Sequence, residues 1–332
     1  MNDQNRTTLV GPLTLLASVH PSFEVRDAFQ TGCRQSQNAE FIIPALKAGI
    51  HVLTEKPLEV STAKCKEILD VETASSAKLM VAYRLHFEPA TLDTIDKIRA
   101  GLLGGVHLFA STFSQLVDPN NHRVKNGELA GPVFDMGPYP VNAARYVFED
   151  EPTAVVSAVG TKHPESEFPQ NFYDTVAVTL RFPKNKLAQF NLSYFGNPSN
   201  SLIAVGTKGT LELDPAYTFG KGLPQVITIG EKKDEQSFKN TDHFGGELKY
   251  FSECILNDES PEPNGEEGFA DVRVLEGIMA ALESGKSVAL APFARSRRID
   301  TERQKATLQA VSTPELVHAG NPGRGAEKKP KN

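Results

Sequence analysis

Two helix-then-strand units follow one another between residues 38 and 84. The first, NAEFIIPALKAGIHVLTEKP, predicts a helix that ends at Gly49 and an apolar strand at residues 50–53. The second joins an amphipathic helix, STAKCKEILDVETASS with Ser61 as its N-cap, to the apolar strand KLMVAYR at residues 78–84. Helices that alternate with apolar strands are typical of a parallel sheet covered on both faces.

Both predicted strands run into charged residues. The first continues into Glu55, Lys56 and Pro57, and the second ends at Arg84. Parallel strands point the same way, and ligands of open α/β sheets lie beyond the carboxyl ends of the strands. We therefore expect Lys56 and Arg84 to share one crevice.

The pattern of apolar and polar residues changes after a predicted helix at residues 89–101. Apolar and polar residues then alternate in consecutive segments, which favours an antiparallel sheet with one buried face. These segments are residues 105–117, 153–160, 174–182, 186–195, 201–214 and 225–230. Two late helices are predicted at residues 244–257 and 265–284. The fold class is therefore α/β, with a parallel-sheet domain followed by an α+β domain built on a large, mainly antiparallel, open sheet.

The length of 332 residues and the apolar content of 39% predict two domains, each with its own core. We place the first at residues 1–102 and the second at residues 103–312. The Gly-, Pro- and Lys-rich segment 313–332 is expected to be a disordered tail.

The net charge of −6 argues against nucleic acid or an anionic membrane as a partner. The three cysteines, Cys33, Cys65 and Cys254, form no C-x-x-C motif, so neither disulfides nor a metal site is predicted. The sequence has no apolar run of membrane-spanning length, and its N-terminus lacks the basic region of a signal peptide. We expect a cytoplasmic protein.

Four motifs in order carry a resemblance to a known family. AGIHVLTEKP, LMVAYRLHFEP, GPVFDMGPY and VGTKGTLELDPAY together resemble the Gfo/Idh/MocA oxidoreductases, on the side of glucose–fructose oxidoreductase and dihydrodiol dehydrogenase. The likeness covers roughly residues 38–300. It implies a Rossmann-like first domain and hydride transfer between NADP (or NAD) and a small-molecule substrate, either a sugar, a polyol or a related hydroxy compound.

The resemblance assigns roles to the residues at the two strand ends. Lys56 is implied to be catalytic, since its ammonium would stabilise a developing alkoxide. Glu55, Lys56, Pro57 and Arg84 are implied to bind the cofactor, and Arg84 also the substrate. From position alone, Lys56 reads as a solvated cation and Arg84 as part of a surface ion pair. Pro57 is a candidate for a cis peptide bond.

Asp135 and Tyr139 are four residues apart in DMGPY, which places them on one face if the segment is helical. The resemblance implies that Tyr139 is the general acid/base and that Asp135 binds a substrate hydroxyl. A phenol needs a nearby cation to act near neutral pH, and Lys56 is the candidate. Without the resemblance, Tyr139 reads as a half-buried aromatic residue at a helix start.

The N-terminal part of the sequence departs from the family pattern. No G-x-G-x-x-G turn occurs, and only 37 residues precede NAEF, whereas one βαβ unit takes about 30 or more. Two interpretations follow. Either the chain is a hydride-transferring enzyme whose front is shortened or altered, or it is a non-catalytic relative that keeps the substrate pocket but binds dinucleotide poorly.

Three further patterns have structural interpretations. The alternating segment TVAVTL at residues 175–180 predicts a half-apolar sheet face, on which we base the expectation of a homo-oligomer. Asp242 and His243 could line a pocket, but the preferred interpretation is a helix N-cap with a packed histidine. Gly206 and Gly209 are interpreted as supplying the geometry of a tight hairpin turn.

Overall fold

The structure is a computed structural model that describes residues 38–124, 129 and 131–309, together with the backbone of two short strands nearer the N-terminus. The predicted tail at residues 313–332 and the side chain of Cys33 lie outside this description. No helix in the described part of the chain is both long enough and apolar enough to cross a membrane.

Eight helices are described. They are α1 (Asn38–Lys47), α2 (Thr62–Ala74), α3 (Pro89–Arg99), α4 (Pro132–Asp135), α5 (Pro138–Phe148), α6 (His243–Leu256), α7 (Gly265–Ser284) and α8 (Thr301–Thr307). The predicted cap of α2 is confirmed, because the Ser61 hydroxyl accepts a hydrogen bond from the amide of Lys64. Asp242 likewise caps α6 by accepting from the amide of Gly245.

The first sheet has four described strands, in the order β1-β2-β3-β4. They are β1 (Leu13–Thr14), β2 (Ala28–Thr31), β3 (His51–Glu55) and β4 (Leu79–Ala82). The last three are parallel, and β1 is antiparallel to β2. The predicted parallel sheet is confirmed, and its carboxyl edge is where β3 and β4 deliver the residues that follow them.

Both faces of this sheet are buried, which explains why β3 and β4 are continuously apolar. On one face Val52 packs in a core with α1, α2 and α7. On the other face Leu53 and Met80 pack against Tyr250 and Phe251 of α6.

Nine further strands form the second sheet. They are β5 (Val106–Leu116), β6 (Ala154–Thr161), β7 (Thr175–Arg181), β8 (Leu187–Ser193), β9 (Phe195–Gly206), β10 (Gly209–Leu213), β11 (Pro224–Ile229), β12 (Lys232–Ser237) and β13 (Val288–Ala289). Their order is β12-β11-β10-β9-β5-β8-β7-β6-β13. The pairing is antiparallel except between β5 and β8, which are parallel. The predicted large, mainly antiparallel sheet is confirmed.

One face of the second sheet packs against α5 and α7. Val176, Val178 and Leu180 of β7 point into this core, while Ala177 between them is exposed. Helix α7 contributes to both cores, since Val272 packs with the first sheet and Ile278 with the second. A late segment of the chain therefore ties the two sheets together.

Gly206 and Gly209 flank the β9–β10 hairpin as predicted, but the physical reason for glycine is space. A β-carbon on Gly206 would lie 2.2 Å from the carbonyl oxygen of Leu103, and one on Gly209 would lie 2.3 Å from that of Thr228. Neither glycine has a positive φ. Close approach of neighbouring backbone, and not turn geometry, excludes a side chain at both positions.

Candidate active site

Lys56 and Arg84 share one cleft at the carboxyl ends of β3 and β4. The Lys56–Pro57 peptide bond is cis and follows directly on β3. A 3-10 turn over Arg84–Phe87 follows β4 and leaves Arg84 only 7% exposed. Tyr139 and Asn142 of α5 complete one wall of the same cleft. The shared crevice predicted from the sheet topology is therefore present.

Two cations face the ring of Tyr139. The Nε of Arg84 donates a hydrogen bond of 3.3 Å to the phenol oxygen, and its guanidinium carbon lies 5.0 Å from the ring centre. The Lys56 ammonium lies 4.9 Å from the same ring centre, but it donates its hydrogen bond to the carbonyl oxygen of Asp135, at 2.6 Å. The cation bonded to the phenol oxygen is thus Arg84, whereas sequence reasoning pointed to Lys56.

Arg84 keeps one donor free. Its Nη2 donates to the carbonyl oxygen of Tyr217, while its Nη1 is buried and has no hydrogen-bond partner among the described residues. A buried guanidinium nitrogen without a partner is energetically costly. This nitrogen is therefore well suited to bind an oxygen atom of a ligand.

Asp135 and Tyr139 do not belong to one helix. Asp135 ends α4 and Tyr139 lies in the first turn of α5, so the prediction of a shared helical face is replaced by two short helices that meet at the cleft. The Asp135 carboxylate accepts from the Tyr194 hydroxyl at 2.8 Å and pairs with Arg123 Nε at 3.2 Å. Lys56 Nζ stands 3.6 Å from its second oxygen.

Burial alone would raise the pKa of Asp135, but the positive charges of Lys56 and Arg123 together have the larger, opposite effect. The pKa of Asp135 therefore lies below its usual value. Asp135 is therefore ionised and balances the positive charge of Lys56 next to Tyr139. Tyr194 and Arg123 could not be identified from the sequence, because they come from a strand end and a loop that carry no recognisable spacing relative to Asp135.

Uncharged polar groups lie close to Arg84. Burial raises the pKa of Glu247 well above its usual value, and the nearby Glu55 adds to this effect. Burial and the charge of Arg84 lower the pKa of His243 to about 4. Glu247 Oε1 and His243 Nδ1 are buried without a hydrogen-bond partner in the described part of the chain. A neutral ligand with an amide group would satisfy such atoms better than an ion would.

Asn142 connects the cleft to a buried ionic network. Its Oδ1 lies 2.8 Å from Nε2 of His86, and its Nδ2 donates to Glu267 at 2.8 Å and to Asp271 at 3.3 Å. Arg145, one turn further along α5, donates to the same two carboxylates at 2.8 and 2.5 Å. The helix that carries Tyr139 is thus fixed to α7 by charged hydrogen bonds.

The donor atoms of His86, Glu262 and Glu267 lie within 4.8 Å of one another. Both oxygens of Glu267 already accept hydrogen bonds from Arg145, and Glu262 accepts one from Gln304 at 3.0 Å. Protein cations and amides therefore occupy both oxygens of Glu267 and one oxygen of Glu262, while Glu262 Oε1 has no hydrogen-bond partner among the described residues.

Two segments of the chain match models of known families. Residues 22–83 match the family described as "Oxidoreductase family, NAD-binding Rossmann fold". Residues 94–212 match the "GFO/IDH/MocA C-terminal domain". The first match includes β2, β3 and β4, and the second includes Asp135, Tyr139 and most of the large sheet.

Named relatives share moderate identity with the chain. It is 28% identical to D-xylose 1-dehydrogenase [NADP(+)] of Haloarcula marismortui over 246 residues, which are 72% of this chain and 68% of that protein. It is 26% identical to trans-1,2-dihydrobenzene-1,2-diol dehydrogenase of Bos taurus over 234 residues, which are 68% of this chain and 67% of that protein.

A solved structure of similar fold is the aldose-aldose oxidoreductase from Caulobacter crescentus complexed with glycerol. The TM-score is 0.75 at 29% identity, and the match covers 80% of each chain. Sequence and structure comparisons thus agree on the same group of oxidoreductases.

Proposed function

The chain belongs to the Gfo/Idh/MocA oxidoreductase family, and from this premise we propose that it oxidises or reduces a CH–OH group of a sugar, polyol or related compound with NADP or NAD. The observation that carries the proposal is the placement of Tyr139. Its phenol receives a hydrogen bond from Arg84, and Lys56 stands over its ring, in a cleft at the carboxyl edge of a parallel sheet.

In this proposal Tyr139 moves the proton of the substrate hydroxyl. Arg84 and Lys56 stabilise the negative charge that develops on the phenol oxygen and on the substrate oxygen. Asp135 holds Lys56 in position. The Asp135 carboxylate oxygen that faces Lys56 also orients a substrate hydroxyl. Each residue then does what the sequence resemblance implied, except that Arg84 acts on Tyr139 directly.

The buried groups near Arg84 fit the nicotinamide end of the cofactor. Arg84 Nη1 is a free donor, and Glu247 Oε1 and His243 Nδ1 are unpartnered in the described part of the chain, which matches the donor and acceptor needs of a carboxamide. Glu55, Lys56 and Pro57 would border the same end. When bound, the nicotinamide supplies the carbon that takes or gives the hydride. We propose NADP rather than NAD because the sequence resembles the glucose–fructose oxidoreductase and dihydrodiol dehydrogenase side of the family.

The test is a fluorescence titration of the whole chain with NADPH and with NADH. We expect micromolar binding that is weakened roughly 10- to 150-fold in Lys56→Ala, since a charged contact contributes about 1.5–3 kcal/mol. Lys64→Ala is the matched control, because that lysine is exposed and forms its ion pair with Glu67 on α2. Oxidation of D-xylose and other aldoses is then followed with the cofactor that binds.

A second candidate is supported by the absence of a G-x-G-x-x-G motif from the sequence. It is a relative that binds a sugar without turnover. Failure of a folded chain to bind either cofactor would favour this candidate over the enzyme.

Three further expectations belong to the proposal. The exposed face of the large sheet, which includes Ala177 and the 60% exposed Val159, is proposed as the contact of a homo-oligomer in the cytoplasm. Sedimentation velocity measures its size.

The division into domains at residues 1–102 and 103–312 is also proposed. In this division α6 and α7 belong to the second domain but pack against the first sheet.

A further inference from the structure

Two phenylalanine rings touch at the surface beside the cleft. Phe219 is 52% exposed and Phe244 is 45% exposed, and their ring centres lie 5.9 Å apart at an interplanar angle of 78°. Single exposed apolar residues are common and need no explanation. A pair of adjoining aromatic rings beside a ligand cleft is instead the composition typical of a binding surface.

Both rings are held in place by the backbone that carries them. Asn200 Oδ1 accepts hydrogen bonds from the amides of Ala216 at 3.0 Å and Tyr217 at 2.7 Å, which anchors the loop that leads to Phe219. Phe244 lies in the first turn of α6, which Asp242 caps. The rings are therefore presented to solvent by anchored segments.

The pair continues the cleft outwards. The guanidinium carbon of Arg84 lies 5.4 Å from the Phe219 ring centre and 5.0 Å from that of Tyr139. One side chain therefore contacts both the proposed acid/base and the exposed pair. A ligand that reaches Tyr139 past Arg84 would pass directly beside the two phenyl rings.

We propose that Phe219 and Phe244 form a subsite for a second ring of the substrate, an inference that rests on the proposed function. The reacting sugar would lie at Tyr139, and a ring attached to it would pack on the phenyl faces. The C–H face of a pyranose and the face of an aryl group are both apolar and planar enough to bury against such rings. The preferred substrate is thus a two-ring glycoside, and a free monosaccharide fills only half of the site.

The test compares ligands that differ only in the second ring. Binding of D-glucose, cellobiose and phenyl β-D-glucopyranoside is measured by calorimetry and by saturation-transfer NMR, with and without NADP. We expect the two-ring ligands to bind about tenfold more tightly than glucose, because burying one more ring face contributes about 1–2 kcal/mol. Phe219→Ala and Phe244→Ala should each remove most of this preference, with a much smaller change in the binding of glucose.

Two variants control the experiment. Phe219→Tyr keeps the ring and should keep the preference. Tyr173→Ala removes an aromatic side chain that is 42% exposed, packs on Gly160 and does not line the cleft, so it should also keep the preference.

The outcomes separate the subsite from the proposed function. A two-ring preference that depends on Phe219 and Phe244 supports the subsite even in a chain that binds no cofactor and turns nothing over. Equal loss of glucose and cellobiose binding in the alanine variants would overturn it, since the rings would then only support Arg84. Selective loss of NADPH binding would also overturn it, because the pair would then serve the cofactor.

Discussion

Nε2 of His86 lies 2.8 Å from Oδ1 of Asn142, one helical turn after Tyr139. The amide nitrogen of Asn142 donates to two carboxylates, so its oxygen must accept from His86, and Nε2 carries a proton. The other ring nitrogen, Nδ1, has no hydrogen-bond partner among the described residues, but it stands 3.4 Å from a Glu262 oxygen, whose charge favours a proton there. With a proton on both nitrogens, His86 would be a buried imidazolium.

The charge of His86 predicts a pH-dependent stability. Burial alone would lower the pKa of His86, but Glu262 raises it, and the net shift is upward. A raised pKa means that the stabilisation is complete below the unfolded value of about 6.5 and is lost as pH rises through the folded value. Urea unfolding between about pH 6 and 9 should show this loss in the wild type and not in His86→Gln. Parallel curves for the two proteins would refute the assignment of charge.

Arg84→Lys separates charge from geometry at Tyr139. Lysine keeps a cation but cannot donate to both the Tyr139 hydroxyl and the Tyr217 carbonyl as the guanidinium does. We expect kcat to fall about 100-fold, the order found when one positioned donor is removed, with a smaller change in KM. Arg99→Lys, on α3 and outside the cleft, is the control. An unchanged kcat would remove Arg84 from the proton-transfer machinery.

Arg145→Met tests the ionic network between α5 and α7. Arg145 is fully buried and bonds Glu151, Glu267 and Asp271. Its loss removes the ion pair of the buried Asp271 and leaves Arg295 to pair with both Glu151 and Glu267. Breaking a buried ion pair by removing one partner costs about 3–5 kcal/mol. Chemical unfolding of Arg298→Met provides the comparison, because Arg298 is half exposed and pairs with Glu149. We expect that surface variant to change stability by less than about 1 kcal/mol. Similar losses in both variants would contradict the importance of the network.

Gly206→Ala tests the close approach at the β9–β10 hairpin. The new methyl group would lie 2.2 Å from the Leu103 carbonyl oxygen, so backbone must move, and overpacking of this kind costs about 1–3 kcal/mol. At Gly105 the nearest atom to an added β-carbon is 3.9 Å away, so Gly105→Ala should be close to neutral. Gly105 directly precedes β5 and faces Thr207 of the hairpin, so thermal unfolding of the two variants distinguishes a steric requirement from a general intolerance of alanine in this region.

The parts of the fold that local patterns determine were predictable. The apolar runs of β3 and β4, each preceded by an amphipathic helix, predicted a parallel sheet and brought Lys56 and Arg84 to one edge. Alternation in β7 predicted which residues face the core. The parallel pairing of β5 with β8 was not predictable, because alternation fixes the buried face of a strand and not the direction of its neighbour.

The candidate site was predictable only where its residues lie in a recognisable motif. Lys56, Arg84, Asp135 and Tyr139 were found in this way, and the structure brings all four to one cleft. Which cation bonds the phenol oxygen depends on side-chain directions at two strand ends, which spacing does not determine. Tyr194, whose hydroxyl bonds Asp135, lies between β8 and β9 and carries no sequence signal of its own.

The ends of the nine-stranded sheet have a consequence for how the protein avoids self-association. At one end β12, KKDEQS, is exposed along its whole length and carries charges of both signs. At the other end β13 has only two residues. A strand from another molecule would have to strip water from charged side chains at one border and would find almost no backbone to pair with at the other. Growth of the sheet into fibrils by edge pairing is therefore disfavoured, and the proposed homo-oligomer is left to form through the face of the sheet.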